Sequence, residues 1–317
     1  MVIAVTGGTG FIGRRVVHQL LARGHRVRAL RRPTSRVELL QEPPQEWVSG
    51  DAETPEIWER LLSGVDALVH LAAAGVANIG DVFDAVHINF PMHAHLLAAA
   101  SKHGVRRVVL AGSCFEYGRT GESVGDRGLR EDDRLDPVNV YGAVKAAITL
   151  ITGPLSRDLG LETFLMRPFH VYGPGELGSR LVPSVISAAL SGRRITSTDG
   201  RQIRDFIHID DVADGFARAV EARWPAAVGQ SGVSMINLAS GVGTSVADMV
   251  RLITQTCGRA ETEIEFGAVK HRQNEMWRLV GDWTAARDLL GWKPTITLPK
   301  GIEALVISER ARREGRS

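Results

Sequence analysis

The segment Y-G-A-V-K (141–145) sets a phenol and an ammonium four residues apart. On a helix, Tyr141 and Lys145 share one face. A phenol is protonated at neutral pH, and a nearby ammonium stabilises its ionised form and lowers its pKa. Tyr141 is therefore a candidate proton donor or acceptor for an alcohol or carbonyl oxygen. Ser113, in L-A-G-S-C-F-E-Y-G (110–118), follows an apolar run and offers a hydroxyl that can orient the carbonyl Tyr141 protonates. Taken singly, each feature has a plain structural reading. A serine after a strand is a turn residue, and tyrosine and lysine often fall four apart by chance.

Their order behind a glycine turn is more specific. T-G-G-T-G-F-I-G (6–13) follows an apolar strand and opens a helix. Gly7 allows a tight turn, Gly10 lets backbone approach a pyrophosphate, and Gly13 allows close helix–sheet packing. Thr9, Phe11 and Ile12 belong to the same turn, whose helix N-terminus presents free N–H groups and partial positive charge. A cofactor of the NAD(P) type is expected here.

The positioning elements alternate. Strands are expected at Val2–Val5, His25–Leu30, Trp47–Val48, Ala67–Leu71, Arg107–Ala111 and Glu162–Met166. Helices are expected at Phe11–Ala22 (stopped by Gly24), Pro55–Leu62, Asp81–Lys102 and from Val140 onward. Strands apolar throughout, alternating with helices, form a parallel sheet covered on both faces. The fold class is α/β: a doubly wound parallel Rossmann sheet with a smaller mixed α/β substrate-binding lobe. After Pro168 the rhythm breaks. Strands Ile203–Ile209 and Ser234–Leu238 and helices capped by Asp210, at Val246–Cys257 and within 282–292 follow. The expected division is a dinucleotide domain over 1–169 plus about 206–239, a lobe over about 170–205 and 240–310, and a frayed charged tail over 311–317. Asp210–Asp211 reads as a helix cap, not a metal site.

R-A-L-R-R-P-T-S-R (28–36) ends the second strand, beside the adenosine ribose of a dinucleotide site. A carboxylate there selects NAD, and arginine pairs with a 2′-phosphate and selects NADP. Arg31, Arg32 and Arg36 fill that place, with Thr34 and Ser35 as extra donors, so NADP(H) is preferred and NAD(H) accepted as the alternative. Arg28 belongs to the strand itself. Asp51 and Ala52 follow the third strand, where an acid can accept from the adenine amino group. Leu71, Ala72 and Ala73 end the fourth with small residues that leave space for the cofactor, and His70 reads as packed. Asn89 on the long helix completes the cofactor set.

The order of these motifs resembles the extended branch of the short-chain dehydrogenase/reductase family, the nucleotide-sugar epimerases, dehydratases and ketoreductases. The likeness rests also on R-P-F-H-V-Y-G-P-G (167–175), R-D-F-I-H-I-D-D-V-A (204–213) and L-G-W-K-P (290–294). It implies that Ser113, Tyr141 and Lys145 are catalytic and that Lys145 also holds the nicotinamide ribose. It places Pro168, Phe169, His170 and Val171 at the nicotinamide end, with His170 where asparagine is common. It implies a nucleoside diphosphate sugar as substrate, contacted by Ser113, Cys114, Phe115, Leu181, Val182, Arg204 and Arg272, with the two arginines on the diphosphate. A homodimer through the helices at 81–102 and 140 onward is expected, with Gly153-Pro154 interrupting and bending the second.

Dehydratases of this group carry an Asp-Glu pair directly after the serine, and here Cys114 and Phe115 stand there. The fucose-synthase type carries a Cys two residues past the serine and a His after Y-G-P, and here Phe115 and Gly175 stand there. What remains is NADPH-dependent reduction of a 4-keto-6-deoxy sugar nucleotide, or 4-epimerisation with NAD(P) recycled in each turnover. The arginines favour a consumer of NADPH, so reduction is placed first. A non-catalytic NADP sensor is the reading from another class, opposed by the intact Ser, Tyr and Lys. Reduction of a flavonoid-type or steroid ketone is opposed by Arg204.

The composition is that of a soluble globular protein. Of 317 residues, 44% are hydrophobic and 23% charged, the net charge is +2, and no long basic run suggests nucleic acid. Cys114 and Cys257 lack metal-ligand spacing. The start M-V-I-A-V-T-G-G reads as a strand entering a turn, not as a leader, and a cytoplasmic protein without membrane segments is expected.

Overall fold

The computed structural model describes residues 1–73, 82–225 and 231–315. Strand β1 (Val2–Thr6) runs into the glycine turn and helix α1 (Phe11–Ala22), and Gly24 beyond the helix takes a positive φ of 78°. Then come β2 (Arg26–Arg31), β3 (Glu46–Ser49), α2 (Pro55–Leu62), β4 (Ala67–His70), α3 (Val82–Lys102) and β5 (Arg107–Ala111). The expected start of α3 at Asp81 lies outside the described residues. A short α4 (Thr120–Ser123) precedes α5 (Val140–Asp158) and β6 (Glu162–Pro168). Among the described residues the main sheet has seven strands in the order β10-β6-β5-β4-β1-β2-β3, where β10 spans Val233–Leu238. Every neighbouring pair is parallel. Between β1 and β4 the chain order reverses, and such a switch opens a crevice at the carboxyl ends of the strands.

The strands are apolar on both faces because helices cover both. Ile3, Val5, Val69, Val109 and Phe164 join α1 and the later helix α7 in one cluster. Ala4, Leu68, Val108, Trp58 and Leu96 join α2 and α3 in a second.

Past β6 the elements shorten: β7 (His170–Tyr172), α6 (Leu181–Leu190), β8 (Ile195–Thr196), β9 (Ile203–His208) and α7 (Ile209–Glu221). After β10 come β11 (Gly243–Ser245), α8 (Val246–Thr256), β12 (Ile264–Glu265), β13 (Arg278–Leu279), α9 (Thr284–Leu290) and α10 (Leu298–Arg313). Strand β9 pairs with β7, β11 and β13, while β12 pairs with β8. Helices α6, α8 and α10 close over them with their own core, including Tyr172, Val185, Phe206, Val250 and Ile302.

Three expectations are corrected. Asp210 is not the cap of α7. His208 Nδ1 accepts from the Asp210 N–H at 3.2 Å, and the Asp210 carboxylate is taken by Arg15 of α1. Asp211 accepts from Thr295 and Ile296 and so pins the segment after L-G-W-K-P. Helix α5 runs unbroken through Gly153-Pro154. Gly153 lies there because β10 passes close: a Cβ would stand 3.2 Å from the Ser231 carbonyl. The expected frayed tail is helical to Arg313, where Arg310 donates to the Cys257 carbonyl and Arg313 to Ser191. No helix among the described residues is long and apolar enough to cross a membrane.

Candidate active site

The nucleotide turn is built by close approach. A Cβ on Gly13 would lie 1.9 Å from the Gly7 carbonyl oxygen, and one on Gly7 2.7 Å from Ala72 N. Only glycine lets the turn close against α1 and the end of β4. The α1 N-terminus has no side-chain cap, so its first N–H groups stay free for an anion. Thr6 Oγ1 is hydrogen-bonded to His70 Nδ1 at 2.7 Å and receives the Ala72 N–H at 3.4 Å, fixing the two strand ends that flank the crevice. Burial holds His70 well below the usual histidine range, so it is the packed neutral residue expected. These residues fit a dinucleotide: a cradle that a Cβ would fill and a free helix terminus beside it.

At the rim, Arg31 lies over the Trp47 ring at 5.3 Å with Nε 3.4 Å from Ser49 Oγ, and Arg32 is exposed. Ser35 Oγ accepts from the Arg32 N–H at 2.9 Å, so that hydroxyl shapes the loop. Arg36 is exposed in the same loop, and Asp51 Oδ1 accepts from the Glu53 N–H. Ala52 is buried. Asn89 is buried in α3 and donates to the Ala85 carbonyl at 2.7 Å.

Ser113 lies two residues past β5 and caps the turn that follows. Its Oγ accepts from the Phe115 N–H at 3.2 Å, and its own N–H donates to Glu116 Oε1 at 2.8 Å. On α5, Tyr141 shares a side-chain hydrogen bond with Ser113, and Phe115 meets the Tyr141 ring edge-on at 6.0 Å. Lys145 is buried and donates to the Ala111 carbonyl at 2.7 Å. The three candidate catalytic residues thus meet at the carboxyl end of β5, next to the switch crevice. Behind Lys145 a cavity is lined by His70, Asn89, His93 and Thr149.

The expected pKa of Tyr141 is corrected in sign. Burial pushes the phenol up to about 12, with Cys114 and Glu116 adding to the rise and the Ser113 hydrogen bond opposing it; the Lys145 ammonium is turned to the Ala111 carbonyl. Burial lowers Lys145 to about 8, with Glu116 opposing. Since the charged lysine persists only below that value, turnover is expected to fall as pH rises through about 8. A kcat–pH profile checks this, and a flat profile to pH 10 would contradict it.

On the substrate side, Arg204 is buried and held to Glu275 at 2.7 Å. His170 lies between Phe115, at 5.6 Å, and Phe206, at 6.0 Å. Burial, reinforced by Arg204, Arg180 and Arg272, holds His170 well below the usual range; Arg180 and Arg272 are exposed. Arg180, at the N-cap of α6, was missed by the sequence reading. The L-V-P that follows it was the available signal. Two expected substrate contacts turn inward. Cys114 is 2% exposed and joins the core beside Tyr117 and Phe169, and Val182 is 3% exposed in the core of α6 and α8 while Leu181 stays partly open. Burial pushes the Cys114 thiol far above its usual range. Pro168 and Phe169 are buried, and Val171 is half-buried on β7.

Glu116 and Arg167 were also passed over as functional residues. The signal was S-x-x-E at 113–116, the capping-box spacing. Among the described residues no cluster of His, Cys, Asp or Glu is placed to hold a metal.

The model of the NAD dependent epimerase/dehydratase family matches residues 3–231. The chain belongs to this family. The UDP-glucose 4-epimerase of Mycolicibacterium smegmatis is 33% identical over 95% of the chain and 96% of its own length. The UDP-glucose 4-epimerase of Thermotoga maritima, solved with UDP-glucose, superposes with TM-score 0.87 at 25% identity over 99% of this chain and 100% of that one. DesIV of Streptomyces venezuelae, a dTDP-glucose 4,6-dehydratase with NAD and TYD bound, superposes with TM-score 0.83 at 25% identity over 99% and 98%. As an epimerase/dehydratase-family member, the protein is an NAD-dependent enzyme of the extended short-chain dehydrogenase/reductase type, with the doubly wound fold expected of it.

Proposed function

We propose that the protein is a nucleoside diphosphate sugar 4-epimerase that recycles a bound NAD(P) within each turnover. One observation carries this reading: Ser113, Tyr141 and Lys145 converge while the two positions after Ser113 hold a buried thiol and an aromatic ring. Dehydration needs an acid/base couple there, and Glu116, the acid in the same turn, is fully buried and tied by three hydrogen bonds. The epimerases among the relatives support the order epimerase before 4-ketoreductase, the reverse of the ranking drawn from the arginines.

The cofactor, when bound, supplies the acceptor and donor of hydride at C4. The Gly7–Gly13 turn would hold its pyrophosphate, Arg31 and Arg32 the adenosine end, and Lys145 the nicotinamide ribose. The Tyr141 phenolate, formed once a cation is brought to the phenol, would take the proton of the C4 hydroxyl as the ketone forms and return it when the ketone is reduced from the other face. Ser113 donates to that oxygen throughout. Arg180, Arg204 and Arg272 bind the diphosphate, a task suited to the guanidinium fork.

The decisive experiment incubates UDP-, dTDP-, GDP- and CDP-sugars with and without NADPH. C4 epimers interconverting with no net loss of reduced cofactor are expected. Stoichiometric NADPH loss with 4-keto sugars alone would make the protein the ketoreductase, which the arginines at 31 and 32 favour. No turnover on any sugar nucleotide would leave the sensor reading.

NADP(H) is proposed as preferred, with NAD(H) accepted. Replacing Arg31 and Arg32 together by alanine is expected to lower NADP(H) over NAD(H) preference by about 10²- to 10⁴-fold, since each charge-assisted hydrogen bond contributes about 1.5–3 kcal/mol. Cofactor titrations check it. A homodimer through α3 and α5 is also proposed, where Val86 and Leu150 are 39% and 69% exposed. Leu150→Arg is expected to give a monomer by sedimentation.

A further inference from the structure

Glu116 is 0% exposed and Arg167 1%. Their ion pair, Arg167 Nε to Glu116 Oε2 at 2.9 Å, lies wholly inside the protein. A buried pair adds little net stability over apolar residues of the same size, so its presence beside the active site needs another reason. The rest of the carboxylate's bonds supply it. Glu116 Oε1 receives the Ser113 N–H at 2.8 Å, and Oε2 receives the Thr149 hydroxyl at 2.7 Å. Thr149 stands one helical turn beyond Lys145, which stands one turn beyond Tyr141, so the three share a face of α5. The chain makes room for the carboxylate: a Cβ on Gly112 would stand 2.7 Å from Glu116 Oε1. Arg167 is itself held. It donates to the Tyr117 hydroxyl at 2.9 Å and to the Glu131 carbonyl at 3.1 Å, and Tyr117 donates to Asn237 Oδ1 at 2.8 Å.

We propose that Glu116 is a positioning residue for the reaction: one buried carboxylate clamps the backbone of Ser113 to the face of α5 that carries Tyr141 and Lys145, with Arg167 as its fixed counter-ion. The inference rests on the catalytic reading of those three residues. The carboxylate also faces Lys145 electrically. The titratable groups around that ammonium are Glu116, His70 of β4, His93 of α3 and Tyr141 on its own helix. Burial keeps both histidines neutral, lowering His93 to about 4. Glu116 is the charge that favours the ammonium.

Glu116→Gln is expected to lower kcat by about 10- to 100-fold with KM for the sugar nucleotide within about two-fold. The alkaline limb of the kcat–pH profile should move to lower pH, because Lys145 loses the charge that favours its protonated form. That variant leaves Arg167 buried alone, so Glu116→Met/Arg167→Met is measured beside it. Apolar replacement of a buried pair is neutral or stabilising. The double variant removes the unpaired buried charge but leaves the Ser113 N–H and Thr149 hydroxyl without their acceptor. It should fold, with Tm lowered less than in Glu116→Gln, and still show the kcat loss and the shifted limb. Thr149→Val, which cuts only the tie to α5, should lower kcat several-fold and leave the limb in place. A double variant with native kcat and native limb overturns the inference, as does native kcat in Thr149→Val. Tyr141→Phe is run alongside. If it keeps native turnover, the catalytic reading and this inference fall together. If it is inactive while the Glu116 and Thr149 variants are native, this inference alone falls.

Discussion

Tyr141→Phe is expected to lower kcat by about 10²- to 10⁴-fold, the range contributed by a positioned proton-transfer group. The ring packing should survive, because phenylalanine preserves the edge contact with Phe115. What is lost is the hydroxyl and its hydrogen bond with Ser113. Binding of substrate and cofactor should change little, so the loss should fall on kcat and on kcat/KM alike. Rates of C4 epimer exchange, with Tm as the control for folding, check this. Native exchange in this variant would remove Tyr141 from the mechanism. The high pKa of the phenol fits the prediction. A group held protonated at working pH is ready to donate, and it becomes an acceptor only when a cation is brought to it.

Asp205→Ala is expected to cost about 3–5 kcal/mol of folding stability. The carboxylate is fully buried and accepts from Ser240 N, Ser240 Oγ, Gly241 N and Gly281 N. It joins β9 to the turn after β10 and to the strand end after β13, and it neighbours Arg204 in sequence. Removing it leaves several buried donors unpaired and loosens the arginine, so KM should rise as well. Denaturant midpoints and substrate titrations measure the two effects, and a loss under 1 kcal/mol would contradict this account. Burial raises Asp205 to about 6. A folded-state value above the unfolded one gives stability that is complete below about pH 4 and lost as pH rises through about 6. The gap between the wild type and Asp205→Asn, which cannot ionise, should therefore narrow by about 3 kcal/mol between pH 4 and pH 7.

Much of the site could be read before folding because its signals are local. The glycine spacing at 7, 10 and 13 reflects contacts inside one strand–turn–helix unit, and the structure shows those contacts as approaches no side chain would permit. The helix at Phe11–Ala22 and the strand at Arg107–Ala111 follow from short-range periodicity and appear at the expected bounds. Tyr141 and Lys145 share a face because four residues make about one helical turn.

What could not be read depends on contacts between distant segments. Glu116 and Arg167 are 51 residues apart, and nothing near either foretells that both would be sealed in the interior as a pair. Arg180, Arg204 and Arg272 all bear electrostatically on His170 although they come from α6, β9 and the loop before β13, which only the fold brings within range. Cys114 and Val182 turn away from the crevice because the core needs their volume. The Tyr141 pKa follows the same rule. Spacing along a helix says which charges lie near, but the shift is set first by how much water packing removes, a property of the assembled fold.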